Sequence, residues 1–592
     1  MSTKFKLTSL LLSAALVCGA VPAFAAEKAA APKPLSQTFD KMVIIPYDYH
    51  GKAFINGEKT DLYGDYDIVQ RSGRVLVPIR LMGTLASQFR SQGEWQTIWE
   101  AKNPDDVTFV NYGLKKTIKF KVNSTTMLVN NESKKMDVAP QKIGGRVVLP
   151  LRSAAEALGK NIQWLDGLIV MGDEVVDEKS AETLAVKNRI LTQLKDTRKP
   201  VTDEKVLTPI TKYGDALYYY KQIYQSSGTL ERLYRKADGK KEVQVNIPGE
   251  PALHSAKVIG HDLYFVSTVS NQGVLYALDL TNNKVRKVSS LADWKPSDGW
   301  LQNVSMIDNE LYVNLHSGDL TIGSETLYRV QNGSLKEVTG AKSIIGPVKS
   351  GDFLYHADFN IMGKTVDNLS RVNLKTGENK AIGQDDFVYA INRKQHDGGG
   401  TSYSVNDAIY VKGGFVYVLG YKDNDPKDEG SVYKVNPSDQ TQVKLTPAAG
   451  PFWMVDNQIY YVDGATGYLA KTDVNGAEPK TVISRKVLNA QLLNGSLYYT
   501  SNDAGSSYDP GILYQYDFAT GKEIKRSDKP VSSYYIGKNT IYYLSEGYDP
   551  GIYKIDGKGN TRLVSDRIQT AKLTDEGLVY TLTYKEGVYS VK

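Results

Sequence analysis

Six histidines and a single cysteine are the scarcest chemistry-bearing residues in this chain, and their spacing assembles no active site. His50, His254, His261, His316, His356 and His396 form no H-x-H pair and no H-E-x-x-H helix face. No G-x-S-x-G nucleophile turn and no phosphate-binding loop occurs either. His356-Ala357-Asp358 is a pairing at the level of chance. Asp423, Asp425 and Asp428, in Y-K-D-N-D-P-K-D-E-G, offer hard oxygens at a Ca²⁺-like spacing. The run lacks the closing Glu and central Gly of an EF-hand loop, so a solvated acidic hairpin tip is the favoured reading. Carboxylate pairs for glycoside cleavage need no local motif, and that chemistry stays open. No catalytic or cofactor-binding residue is assigned, no cofactor is expected, and the three aspartates are the one weak metal candidate.

The elements that would have to position any such group begin with an export signal. Lys4 and Lys6 precede an apolar run from Leu7 to Val17, too short to span a bilayer, and Ala23-Phe24-Ala25 fits a cleavage site. Residues 1–25 are therefore read as a signal peptide and 26–39, rich in Ala, Lys and Pro, as a flexible spacer. Cys18 lies inside the signal, so the mature chain is expected to carry no disulfide, no thiolate metal site and no cysteine nucleophile. A lipid-attachment role for Cys18 is the minor alternative, with Val17 in place of the usual small residue. Export without disulfides suits the surface of a Gram-positive-type cell. Without Lys4 and Lys6 there remain 70 basic and 66 acidic side chains, a net charge of +4. Spread over so large a surface, that is no nucleic-acid signature.

Residues 40–173 contain a duplication. Gly73-Arg74-Val75-Leu76-Val77-Pro78-Ile79-Arg80 returns as Gly145-Arg146-Val147-Val148-Leu149-Pro150-Leu151-Arg152. Each copy reads as a turn, a short apolar strand and a helix launched by the Pro. Ser153 to Leu158 continues the second helix and Gly159 caps it. Trp99 and Trp164 follow at matching places, on strands expected to pack back on the helices. Gly83, Thr84 and the run Ser87-Gln88-Phe89-Arg90 make the first copy depart from the pattern, and distortion is expected there. Arg80 and Arg152 read as ties between strand and helix rather than as anion binders. The doubled motif resembles the copper amine oxidase N-terminal-like domain of bacterial surface proteins, over about 130 residues. That resemblance implies a stalk module remote from copper. Catalysis in those oxidases needs three histidine ligands and a tyrosine in N-Y-[DE]; Asn111-Tyr112-Gly113 lacks the acid, and amine oxidase activity is rejected.

Residues 174–205 are charged and helix-prone. Leu184, Leu191 and Leu194, with Ile190, form a one-sided stripe that Pro200 ends, predicting a linker helix docked between the two halves.

From residue 206 to 592 a motif pair recurs. A turn, then a hydrophobic residue and Tyr, appears at Tyr218, Tyr264, Tyr312, Tyr355, Tyr417, Tyr460, Tyr498, Tyr542 and Tyr580. These tyrosines are 46, 48, 43, 62, 43, 38, 44 and 38 residues apart, the period of a four-stranded propeller blade. A second signature, Leu-Tyr-x-x-Asp/Asn, leads into a turn at Asp279, Asn436, Asp517 and Asp556, where an Asx bond is expected. The fold class is thus mainly β: a small duplicated α+β module followed by a β-propeller of about eight four-stranded blades. The same copies allow seven or nine. The ninth copy is short, and an N-terminal strand is expected to complete it. The repeats resemble a bacterial surface-propeller domain of unknown function with L-Y-Y and L-Y-x-x-D signatures, which implies architecture and no activity. The 62-residue gap holds an insertion, Gln384 to Asn406 with His396-Asp397-Gly398-Gly399-Gly400 at its tip. That insertion and the axial mouth are where function is expected.

The resulting expectation is a secreted, cell-surface, non-catalytic binding or scaffold protein. Its partners would be cell-wall polymer, glycan or extracellular protein, with no nucleic acid and no transmembrane segment after cleavage. The alternative is a propeller enzyme acting on polysaccharide, a glycosidase or lyase. A carboxylate pair at the axial mouth would favour it.

Overall fold

The computed structural model describes residues 31–48, 51–62, 68–71, 73–88, 95–226, 228–291, 294–319, 323–338, 344–358, 366–396, 400–502, 507–538, 540–557 and 559–592. The signal peptide with Cys18, His50, and residues 397–399 of the insertion lie outside them. No helix among the described residues is long and apolar enough to cross a membrane.

Four helices are α1 (Leu35–Thr38), α2 (Ile79–Ser87), α3 (Leu151–Ala157) and α4 (Ala181–Leu194). The spacer expectation is corrected at its C-terminal end, where α1 is ordered and buries Leu35, with Phe39 just beyond it. Both belong to an apolar cluster with Ile44, Phe54, Leu168 and Val170, so burial offsets the entropy of ordering them.

In the module the two Gly-Arg strands, Arg74–Pro78 and Arg146–Pro150, pair with each other. Their register is Val77↔Leu149 and Pro150↔Leu76, antiparallel. The duplication therefore closes through main-chain hydrogen bonds, and α2 and α3 both bury into one core with Leu81, Leu85, Leu151 and Leu158. Pro78 and Pro150 sit at the N-caps, as the sequence predicts. The predicted distortion of the first copy is corrected within α2, which is regular over nine residues, two more than α3; Phe89 and Arg90 lie outside the described residues. Gly83 is there for clearance, because a Cβ on it would lie 2.2 Å from Thr97 Oγ1.

One further expectation about the module fails. Arg80 and Arg152 tie nothing among the described residues; both are exposed on the first helical turn. The strands that carry Trp99 and Trp164 do pack back on α2 and α3, with the indole rings themselves half out of the core, at 47% and 46% exposure. Both lie on terminal strands of their sheets.

Helix α4 begins where Ser180 Oγ accepts from the Thr183 N–H at 3.1 Å. Its buried face is Thr183, Val186, Ile190 and Leu194, and Leu184 is exposed. The predicted stripe was thus rotated by part of a turn. The flank of this buried face meets the propeller: Gln193 Nε2 donates to the Gly547 carbonyl at 3.0 Å, and Arg189 pairs with Asp549. A Cβ on Gly547 would come within 2.8 Å of the Gly57 carbonyl, so the two regions touch there at backbone distance.

Among the described residues the repeat array forms nine blades, one more than the eight expected. Five are four-stranded sheets, blades two and three are joined into one eight-stranded sheet by a parallel bridge between Ser290 and Ser334, blade five is five-stranded and the ninth is three-stranded. The tyrosine motif explains why they stack. Successive residues of the second strand point to opposite faces. In blade two Phe265 packs with Tyr218 and Tyr220 of blade one, while Tyr264 and Val266 pack with Leu301 and Val313 of blade three. The same alternation builds a core between each pair of neighbours, including Tyr542 and Leu544 on Tyr580 between blades eight and nine. The last core, Val579 and Val588 against Leu207, Leu217 and Tyr219, joins blade nine to blade one and closes the ring. The expected strand exchange is corrected. Among the described residues no segment before Leu207 pairs as a strand with the ninth sheet, whose strands are Ile568–Thr574, Gly577–Leu582 and Lys585–Val591. Closure is by side chains face to face, with one main-chain bond from Val201 N–H to the Thr583 carbonyl at 2.8 Å.

The predicted Asx turns at Asp279, Asn436 and Asp517 are present, and the turn after Asp556 includes residue 558, which lies outside the described residues. Asp279 Oδ1 accepts from Thr281 N–H at 2.8 Å, Asn436 Oδ1 from Ser438 N–H at 3.1 Å and Asp517 Oδ1 from Thr520 N–H at 2.7 Å.

Candidate functional site

The first strand of every blade but the eighth, where Ser533–Ile536 pairs in unbroken register, carries an irregularity at one recurring place. In seven blades its register shifts there, as between Pro209 and Thr211, Leu301 and Asn303, or Ile568 and Thr570. Blade two has the widest of these, with Ala252 and Lys257 paired to Val266 and Tyr264. Blade five carries its insertion at the same register. Tyr389 pairs with Gly420 and Ile409 with Val418, so residues 390–408 all oppose Leu419. The inserted hairpin, Ile391–His396 with Gly400–Val405, is therefore an enlarged β-bulge of an inner strand.

First strands of blades one, two, three, seven, eight and nine line an axial channel of about 1190 Å³. Its walls are cationic. Lys212, Lys257 and Lys572 come from the first strands of blades one, two and nine, three consecutive members of the ring. Lys538 and Lys554 of blade eight and the C-terminal residue Lys592 join them. Lys572 faces channel water but is ringed by protein, and that burial lowers its pKa, with Lys257 lowering it further. Two ammonium groups from sheets on either side of blade one are thus close enough to repel.

Carboxylates in the channel are already engaged. Asp575 pairs with Lys538 at 3.7 Å, and Glu576 pairs with Lys592 at 3.3 Å and accepts from the Gly214 N–H. His254 also lines the channel. Its Nδ1 lies 3.0 Å from Glu231 Oε1, and this hydrogen bond raises the imidazole pKa. Burial alone would raise the Glu231 pKa. Bonds from the His254 ring and from the N–H groups of His254 and Leu253 outweigh it and hold the carboxylate low. The pair pins the wide bulge of blade two in place.

The residues singled out by sequence fall elsewhere. The Asp423, Asp425 and Asp428 loop is organised around a guanidinium. Arg393 of the inserted hairpin, 5% exposed, donates to the carbonyls of Lys422, Asp423, Asp425 and Asp428. Asp428 turns its carboxylate to the N–H groups of Lys422 and Gly430, and Asp425 to that of Lys427. Among the described residues no group of three or more His, Cys, Asp or Glu side chains could hold a metal. His356 and Asp358 do meet, at 3.1 Å, with His356 fully buried and no nucleophile bonded to it. His316 is likewise internal, stacked on Trp300 at 3.7 Å between ring centres. The motif tyrosines are buried between blades, as their register predicts, except Tyr498, which is half-buried.

Sequence reasoning missed the channel lysines although a signal existed. Lys212 and Lys572 each stand opposite the hydrophobic residue that precedes the motif Tyr, pairing with Leu217 and Val579, and Lys257 stands opposite the motif Tyr264 itself. The repeat was read from its tyrosine side, and this recurring lysine lies on the partner strand.

Sheets, cores and closure define a β-propeller carrying a small α+β module. Residues 54–169 match the family described as copper amine oxidase N-terminal domain. No curated protein matches the chain. Among solved structures it is similar to Porphyromonas gingivalis dipeptidyl peptidase 4, at 12% identity over 55% of each chain with a TM-score of 0.39. A prolyl endopeptidase shares 14% identity over 65% of this chain and 63% of its own, TM-score 0.32. An oligogalacturonate lyase in complex with manganese shares 10% over 61% of this chain and 89% of its own, TM-score 0.30. The chain spans less than two thirds of those two peptidases. At such scores the likenesses carry no chemistry, and the fold rests on the sheets themselves.

Proposed function

We propose that this chain is an exported, non-catalytic binding protein of the bacterial cell surface, and that its propeller holds an anionic polymer at the axial channel. The observation that carries this reading is the convergence of Lys212, Lys257 and Lys572 on a channel whose carboxylates are already engaged. An ammonium with no fixed counter-ion in a partly enclosed site gains most from an external anion. The charge pattern supports a phosphate-bearing wall polymer or a uronate glycan over a neutral one. The family match of residues 54–169 supports the module as a presenting stalk rather than a redox domain. The enzyme alternative called for a carboxylate pair at the axial mouth. Asp575 and Glu576 stand there, each paired with a lysine, Lys538 and Lys592, and that pairing supports binding over catalysis.

The test is retention of the mature protein on immobilised polyglycerol phosphate and polygalacturonate, with dextran as the neutral control. Retention on an anionic matrix, elution by salt, and a loss of affinity of about tenfold or more for the Lys257→Gln/Lys572→Gln variant are expected. Equal retention of that variant, or turnover of either polymer, overturns the reading.

A further inference from the structure

A second cationic cavity, of about 440 Å³, lies where the module, α4 and the last two blades meet. Lys59 reaches it from the module, Arg189 and Gln193 from α4, Arg198 from the linker, and Arg562 and Arg567 from the propeller. Its carboxylates are all spent. Asp549 serves Arg189, Arg562 at 2.8 Å and Lys529 at 3.0 Å. Asp196 and Asp566 both hold Arg198, at 2.8 and 2.7 Å. Glu546 holds Arg567 at 3.2 Å.

Five cations of the lining therefore stand against four carboxylates, and Lys59 is the one left over. Its ammonium makes no ion pair or hydrogen bond among the described residues. Burial lowers its pKa, as do Lys52 on the neighbouring strand and Arg567 across the cavity, against the opposing pull of Asp61 and Asp196. Like charges from two different regions face one another across a space the size of a small-ligand pocket. Two such groups repel when the space holds only water and are bridged when it holds an anion.

We infer that this crevice binds a small anion, a phosphate ester or a dicarboxylate, between Lys59 of the module and Arg567 of the propeller. The unpaired Lys59 leaves the lining with an excess of one positive charge, which favours an anion, and the volume is that of a small-ligand site. Because the ligand touches both regions, binding draws the module onto the propeller, and docking in turn tightens binding. The site is separate from the axial channel and does not depend on what the channel holds.

The experiment titrates the mature protein with inorganic phosphate and, separately, with malonate, against sodium chloride at equal ionic strength. Heat of binding and Tm are both read. Expected is a saturable signal with one of the two, and a Tm rise on the order of 2–4 °C as the site fills. Lys59→Gln breaks no ion pair and is the primary variant; it should weaken binding by about tenfold or more. Arg567→Ala should weaken it as well, and its unliganded Tm shows whether losing the Glu546 pair has disturbed folding. A response to phosphate alone assigns a phosphate ester, and to malonate alone a dicarboxylate. Unchanged affinity in Lys59→Gln overturns the inference. So does a response matched by chloride, no response to either anion, or loss of binding in Lys257→Gln instead.

Discussion

The module and the propeller are both built by copying, and they join their copies in opposite ways. In the module two copies fuse through the backbone, strand Arg74–Pro78 bonded to strand Arg146–Pro150, over one shared core. In the propeller the copies are stacked, and neighbouring blades are held by side chains, a separate apolar cluster at each interface. A fused pair needs glycine, proline and a precise register, and its sequence signature is accordingly made of turn residues. A stacked ring needs large, half-polar side chains that bridge faces and reach a partner at the rim, and its signature is tyrosine. Tyr218 shows the type: its ring is 1% exposed and its hydroxyl donates to Asn283 Oδ1 at 2.6 Å.

The largest test of this contrast is alkaline pH. Only five of the 39 tyrosines precede residue 206. In the propeller, burial pushes Tyr421, Tyr433 and Tyr461 up to about 12. A folded pKa raised above the unfolded value of about 10 means that the unfolded chain loses the proton first. That stability is whole below pH 10 and is lost as pH rises towards 12. Each of the three then withdraws about 2–3 kcal/mol. The propeller should unfold between pH 10 and 12 while module amides stay protected, followed by hydrogen exchange with peptide mapping. Simultaneous loss of both regions would break the comparison.

A somewhat smaller effect is expected at the closing seam. Tyr219 is 2% exposed, stacks on Tyr234 and packs against blade nine, with its hydroxyl donated to Glu242. Tyr219→Ala should cost about 3–5 kcal/mol and open the ring at that interface. Denaturant unfolding and protease sensitivity near residues 207 and 592 measure it. If cutting spreads evenly round the ring, closure is not the weak point.

The smallest expected effect separates the two module copies. Gly83→Ala drives a methyl into Thr97 and should cost about 1–3 kcal/mol. Ala155→Gly in α3 removes a helix-favouring residue and should cost about 1 kcal/mol. Thermal melts of the two variants, and of Gly83→Ala with Thr97→Ser as an added relief, would show whether glycine is there for clearance. A neutral Gly83→Ala would return the first copy to being merely irregular.

Much of the architecture was legible in the chain because it rests on local rules. Pro78 and Pro150 mark helix starts, and the Asp and Asn after third strands mark Asx turns. The linker helix was visible but its face was not, because Leu184 and Val186 are equally apolar in sequence and only packing on Ile44 and Leu168 selects Val186. The acidic loop misled for a related reason. Its carboxylates suggest a cation, and the structure supplies one from residues thirty positions upstream, the guanidinium of Arg393.

By itself the sequence determined the period, the strand pattern, the duplication and the mainly β class, since each follows from neighbours a few residues apart. Tertiary structure alone decided that the ring closes face to face and that the inserted hairpin is an enlarged bulge. It also decided that lysines from blades nine, one and two share a channel while Lys59 and Arg567 share a crevice. Those groups are brought together by the curvature of the ring and the docking of the module. Charge placed by a closed ring depends on contacts between its two ends, which no local spacing encodes.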